Sequence, residues 1–497
     1  MHEPLPRLND YDVSPLNGFL PTEAPIECLP DAYYGPWETI IRNLQGLVLS
    51  KRLHGVVDKL RVLSTDYLVT EAEWRRAYSI LGFIAHAYIW GGNTPSEVSN
   101  PDNPDVENTQ LIPAQRVPPS ISVPFLETCK HLELPAVATY AAVVLWNWKP
   151  LFQDELQVDL DNLMTLSTFT GSLDESWFYL VSVAIEAQAG PTVPMMLTAI
   201  EAARANDSYT VTECLRSFAE VLDGLGSLLN RMYENCDPHV FYHRIRPFLA
   251  GSKNMADAGL PNGVIFDTSS GQDNYVQFAG GSNAQSSIIQ FFDLVLGVEH
   301  RPTGVKPGVH GAPSHGFINE MRTYMPGPHR RFLEHVGRIA NIREYVSARR
   351  HDRALCTAFD ASLAMLRALR DKHIQMVSRY IIVKSRESRE PVAPAAVPKR
   401  VNLATSSAKQ FSATEVGSVG SAKKLRGTGG TALIPFLKQA RDETGEPAID
   451  AWARRLLNNG PADAAGARMS KMGEHDAVVG LAGTWSVDDS EGGICHW

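Results

Sequence analysis

The stretch Leu366–Tyr380 (LRALRDKHIQMVSRY) constrains the fold more than any other part of the chain, because it carries a single histidine on an apolar stripe of helical period. Phe359, Leu363, Leu366, Arg370, His373, Val377 and Tyr380 recur at spacings of three and four, so one long helix gathers them on one face, and that face is expected to be buried. A buried neutral imidazole needs a partner for each ring nitrogen. A hydrogen-bonded core histidine and a metal ligand both meet that need, and the spacing alone leaves both open.

The rest of the chain reads as helix after helix. Its 497 residues exceed one small core, so two domains and a tail are expected. Residues 1–35, dense in Pro, Asp and Asn, predict an extended arm with turns. Helical periodicity runs over Trp37–Val62 and Glu71–Trp90, the latter closing on Gly91-Gly92. The polar, Pro-punctuated segment Asn93–Ser122 predicts an interdomain connection. Beyond it, Phe125–Leu134, Pro135–Trp148, Leu156–Leu166, Ser176–Ala189, Val193–Ala205 and Val211–Glu234 are apolar or amphipathic and separated by Pro, Gly or Asp, while few segments alternate as strands do. The expected class is all-α, with a small N-terminal helical domain at 1–122 and a large helical domain at 123–458.

Three regions interrupt the rhythm. Arg246-Pro-Phe-Leu-Ala-Gly251 leads into an irregular Gly-rich region, after which Ser282 and Gln285 stand at capping-box spacing and open a helix that carries one acid, Asp293. Between Glu299 and Gly316, His300, His310 and His315 are irregularly spaced, which predicts a solvated loop rather than a metal site. Residues 390–426, rich in Ala, Ser, Pro, Val and Lys, predict a mobile linker ending at Gly427-Thr-Gly-Gly-Thr431. That glycine cluster lacks the order of a phosphate-binding loop; it suits either a lid or an ordinary linker turn. The Gly/Ala/Asp-rich tail at 459–497 is expected to be disordered.

Composition narrows the function. A formal net charge of −9 and a pI near 5.9 argue against nucleic acid, and no polybasic run addresses an anionic membrane. The first ten residues lack the order of a signal peptide and no apolar run is expected to span a bilayer, so a cytoplasmic location is expected. The six cysteines show no CxxC pair, haem-attachment motif or zinc spacing, and are expected to be reduced thiols.

Several pieces, in order, resemble the indoleamine 2,3-dioxygenase family: Ala87-Tyr-Ile-Trp-Gly91, Leu132-Glu-Leu-Pro135 with Tyr140 and Asn147-Trp148, Phe178-Tyr-Leu-Val-Ser182, Arg246-Pro-Phe-Leu-Ala-Gly251, Phe278-Ala-Gly-Gly-Ser282 with Phe292-Asp293, Met321-Arg-Thr-Tyr-Met-Pro326, the His373 helix and Gly427-Thr-Gly-Gly-Thr431. The resemblance implies a non-covalent haem b, ferrous in the active state, with His373 as its iron ligand and Arg370, Asp293 and Ser282 beside it. It implies that Arg246 grips the substrate carboxylate, that Phe241 faces the indole, and that Tyr140, Val143, Val144, Phe178 and Leu249 form the indole pocket. Thr428 would meet the substrate's polar end. Arg370 and Asp293 also admit a plain reading as an ion pair between core helices.

Ser182 falls where the related tryptophan 2,3-dioxygenases carry a histidine, and a serine is no general base near neutral pH. The implied reaction adds both atoms of O₂ across the indole C2–C3 bond of L-tryptophan to give N-formylkynurenine, with an electron donor for the haem and a monomeric state expected. Tyr242, Asn283 and the long linker depart from the family pattern, which leaves open a modified tryptophan as substrate, or a haem-binding or signalling protein with weak or no turnover.

Overall fold

The computed structural model describes residues 3–92, 113–152, 158–303, 316–387, 433–458, 477–480 and 483–486. Helices carry the fold: α1 (Gly35–Arg42), α2 (Glu71–Trp90), α3 (Pro119–Leu132), α4 (Leu173–Ala189), α5 (Thr192–Arg204), α6 (Ser208–Asn230), α7 (Ser287–Leu296), α8 (Gly327–Ile339), α9 (Arg353–Val377), α10 (Leu433–Thr444) and α11 (Ala451–Asn458), linked by shorter helical turns. The long helices begin where side-chain oxygens meet the orphan amides of a first turn: Thr70 accepts from Glu73 N, Ser172 from Glu175 N, Asp207 from Thr210 N and Asp352 from Leu355 N. α9 lies along α6, which also packs on α4 and α5. Ser362 Oγ donates to Leu215 O (2.9 Å) across the α9–α6 seam.

The strands are short. β1 (Arg116–Val117), β4 (Val264–Phe266) and β5 (Tyr275–Val276) form one sheet in the order β1-β4-β5, parallel at Arg116↔Ile265 and antiparallel at Val264↔Val276. β2 (Trp148–Pro150) pairs antiparallel with β3 (Leu163–Thr165) in the register Lys149↔Met164, and β6 (Ala477–Gly480) with β7 (Gly483–Ser486).

The main apolar core of the described residues runs from Val13 to Ala448, beside a small second cluster of Val137, Ala279, Met321 and Tyr324. The N-terminal arm is irregular, as expected, but it is pinned to this core by Phe19, whose ring meets His329 (5.0 Å) and Phe332 (5.7 Å). The expected boundary at residue 122 falls inside α3. The stretch Leu173–Arg204, spanning α4 and α5, is long and apolar enough to cross a bilayer, contrary to the sequence expectation, yet 72% of its most apolar window is buried within the protein.

Three expected helices are replaced by other structure. Trp37–Val62 breaks into Gly35–Arg42, Leu44–Leu49 and Leu53–Val57, with Lys51 at positive φ between the last two. Pro135–Trp148 contains a π-helical turn, Ala141–Leu145, followed by β2. Where Leu156–Leu166 is described, from Val158, it holds a 3₁₀ turn and β3, because Asp159 caps the turn and the next three residues pair with β2. Further π turns occupy Phe241–Ile245 and Ser378–Val383.

Candidate active site

The loops after Arg246 and before α7 cross at van der Waals contact, and glycine permits it. A Cβ on Gly251 would lie 2.2 Å from Phe278 O, and one on Gly280 would lie 2.1 Å from Leu249 O. His86, within α2, ties the same crossing together: Ala138 N donates to its Nε2 (2.9 Å) and its Nδ1 faces Phe248 O (2.7 Å). Burial lowers the pKa of His86 to about 4, so it serves as a neutral connector. Trp90 Nε1 adds a bond to Ala250 O (2.9 Å).

This crossing forms one wall of a cavity, and α4, α7, α9, α10 and the three π turns supply most of the rest, with Leu229 of α6, Met232, Phe317 and Ile318 completing it. The cavity offers about 270 Å³ to the centres of water-sized molecules. Of the residues singled out in the sequence, Tyr140, Val143, Val144, Phe178, Ser182, Phe241, Arg246, Leu249, Ser282, Asp293, Arg370 and His373 all line it. Thr428, the linker at 390–426, the Gly-rich segment at 427–431, His310 and His315 lie outside the described residues, as does the tail except for β6 and β7.

His373 faces this cavity from α9. Among the described residues its ring has no hydrogen-bond partner, and the residue is partly exposed and lines the cavity. Burial, assisted by the Arg370 charge, lowers its pKa to about 4. The imidazole is therefore neutral, and a nitrogen lone pair is available to a metal. Arg370, one turn earlier, donates from Nη2 to both oxygens of Asp293 (2.7 Å each) and from Nη1 to the Thr444 hydroxyl. The ion pair between core helices is thus present.

His300 is a buried bridge rather than a solvated loop residue, with Nε2 on Asp293 Oδ2 (2.9 Å) and Nδ1 on Glu443 Oε2 (2.7 Å). Gly297, at φ +66°, ends α7 and turns the chain back so that His300 reaches Asp293. Ser282 and Gln285 do not form a capping box. Ser282 caps only a 3₁₀ turn, Asn283–Gln285, while Gln285 accepts from Tyr140 N (2.9 Å) and donates to Gly280 O (2.9 Å); α7 begins at Ser287.

The opposite wall is aromatic and apolar, with Phe178 and Phe241 at 4.8 Å and Phe241 and Tyr380 at 5.6 Å between ring centroids. Arg246 is 3% exposed and its guanidinium lies 5.7 Å from the Tyr242 ring centroid. Burial lowers its pKa from the usual guanidinium range, which favours the approach of an anion. Ser182 Oγ is 3.4 Å from Phe178 O, one turn back on α4.

Glu186, a further turn along α4, was not singled out in the sequence. It is fully buried, and its Oε1 accepts from Tyr140 Oη (3.0 Å) and Ser286 Oγ (2.6 Å), both cavity-wall residues. Desolvation raises its pKa to about 7. The available signal was the one acid in the stretch SVAIEAQA.

A neutral imidazole open to an apolar cavity, with a guanidinium one turn away, fits an iron porphyrin: nitrogen for iron and cation for a carboxylate arm. Comparison with known proteins agrees. The family model described as "Indoleamine 2,3-dioxygenase" matches residues 7–447. The chain is 40% identical over 452 residues to an indoleamine 2,3-dioxygenase of Saccharomyces cerevisiae, covering 89% of this chain and 93% of the relative. It is 36% identical to a 6-hydroxytryptophan 2,3-dioxygenase of Fusarium equiseti (89% and 98% covered) and 31% identical to indoleamine 2,3-dioxygenase 1 of Mus musculus (90% and 96% covered).

Proposed function

The chain belongs to the indoleamine 2,3-dioxygenase family, and from that premise we propose that it adds both atoms of O₂ across the C2–C3 bond of L-tryptophan to give N-formylkynurenine. The observation that carries the reading is the neutral, cavity-facing His373 with Arg370 one turn away. Haem, when bound, supplies the iron that activates O₂; His373 would hold that iron and Arg370 a propionate.

The protein's own part is binding and positioning. Arg246, buried in the cavity wall, presents a planar fork to the substrate carboxylate. Phe241 and Phe178 offer flat faces to the indole, and Val143, Val144 and Leu249 close around it. Held there, the ring meets its co-substrate as an effectively unimolecular pair. Ser182, whose hydroxyl is itself no base near neutral pH, orients rather than abstracts a proton. We assign Thr428 to the substrate's polar end by family resemblance alone. The same reading takes the enzyme as a cytoplasmic monomer whose haem is reduced by an external donor.

A second reading, a ring-hydroxylated tryptophan as substrate, is favoured by the Tyr140, Ser182 and Ser286 hydroxyls in the cavity wall and by the name of the Fusarium relative. Aerobic turnover by the haem-loaded, reduced protein decides between them. Formylkynurenine from L-tryptophan, absent in His373→Ala, is expected. Full haem loading with product only from 6-hydroxytryptophan would select the second reading, and no product from either would leave a haem-binding protein.

A further inference from the structure

We propose that His300 is a positioning residue that clamps α10 over the cavity, and that its protonation sets how firmly the cavity is closed.

The geometry carries this. Both ring nitrogens of His300 point at carboxylate oxygens, Asp293 Oδ2 at 2.9 Å and Glu443 Oε2 at 2.7 Å. A neutral imidazole has one N–H and one lone pair, so against two ionised carboxylates one contact would set lone pair against lone pair. Only the imidazolium donates to both. Each carboxylate is held ionised by other partners: Asp293 by the fork of Arg370, and Glu443 Oε1 by Arg301 N (3.1 Å) and Gln439 Nε2 (2.8 Å).

The charges close on the same answer. Asp293, Glu443 and Glu446 face Arg370 and Arg301, with Arg301 Nη1 on Glu446 Oε2 at 2.7 Å. That set is one negative charge in excess until His300 is protonated. Other charged neighbours have partners of their own. Arg322, whose charge also acts on Asp293, donates to Gln290; Glu299 pairs with Arg343; and α10 meets α9 through Arg441–Asp371 and Arg367–Asp442. Burial alone would disfavour the His300 cation, but the two carboxylates outweigh it and the net shift is upward.

What the clamp holds is the cavity roof. Leu433, Phe436, Leu437 and Ala440 of α10 line the cavity, Phe436 packs edge-on against Phe317 (4.8 Å), and the Thr444 hydroxyl sits on Arg370. Glu443 lies on the same helix. Losing the His300 proton therefore loosens the helix that covers the site.

The sign follows. The folded pKa is raised above 6.5, so the clamp is complete below that value and is lost as pH rises through the higher folded value. Amide hydrogen exchange of residues 433–444, corrected for intrinsic rates, tests this on the full chain without haem or substrate. Between about pH 6 and about pH 9 the wild-type rate should rise roughly tenfold, the order expected for one lost charge-assisted hydrogen bond. His300→Gln should exchange fast at both values, and Glu443→Gln, which disables the clamp from the other side, should do the same.

A flat wild-type profile, or an unchanged step in a folded His300→Gln, overturns the proposal. On the haem-loaded protein, haem transfer to an excess of a scavenging apoprotein should quicken over the same pH range in the wild type and not in His300→Gln. This arm alone rests on the dioxygenase reading. An exchange step without a haem-release step would count against that reading and leave the clamp standing.

Discussion

Glu186→Gln separates a buried proton from a buried charge. The side chain is fully enclosed, and desolvation raises its pKa from 4.5 to about 7. At about 1.4 kcal/mol per unit, the neutral form stabilises the fold by about 3 kcal/mol relative to the ionised form. Because the folded value is the higher one, that contribution is complete below pH 4.5 and is lost as pH rises through about 7.

The amide oxygen of the variant would still accept from Tyr140 and Ser286, while its NH₂ replaces Oε2, which has no hydrogen-bond partner. The neutral wild-type carboxyl already leaves one O–H at that position, so the amide adds one further unsatisfied donor, which costs about 1–3 kcal/mol. The variant should therefore be less stable than the wild type at about pH 5 and near parity or better at about pH 8. Urea unfolding of the full chain, followed by far-ultraviolet circular dichroism at both values, measures the difference. An equal gap at both pH values would refute the argument that Glu186 carries its proton in the folded state.

Arg246→Leu should retain haem and raise the KM for L-tryptophan by roughly 10- to 150-fold, the worth of one charge-assisted bond of about 1.5–3 kcal/mol; spectroscopic loading and steady-state kinetics check both halves. Gly280→Ala sets a methyl against Leu249 O at 2.1 Å and should destabilise by about 1–3 kcal/mol while displacing the Arg246 segment, seen as a lower unfolding midpoint together with weaker substrate binding. Asp293→Asn removes the charge facing both Arg370 and His300. Haem loading should fall and His300 should titrate at lower pH, which NMR of the imidazole reports.

The parts of this molecule legible in the sequence are those in which local pattern and tertiary environment agree. α4, α5 and α6 were readable because polar caps, Gly190-Pro191 and Asp207 punctuate strong apolar periodicity. The α9 stripe was readable because its face is the cavity wall, and the family resemblance then gathered twelve scattered residues on one cavity. His300 was not, since the loop composition around it says nothing of Glu443, 143 positions away. Glu186 was missed because its partners, Tyr140 and Ser286, come from other segments. β3 was missed because a three-residue apolar run fits helix and strand equally well until β2 is placed beside it.

The π turns bear on how the cavity can change. In an α-helix, residues five apart sit about 140° around the axis from one another, on nearly opposite sides. Phe241 and Arg246 are five apart, yet both reach the cavity, because Phe241–Ile245 is wound wider. Chain length there acts as a phase setting: removing one residue before Arg246 would rewind the segment and carry the guanidinium away from the ring. The Ser378–Val383 turn meets it through the Tyr380 ring, so the two phases are matched across the cavity. Single-residue deletions in these segments are therefore far more disruptive to ligand binding than conservative substitutions at the same positions, and paired changes in both are the route by which the pocket could be reshaped without altering its composition.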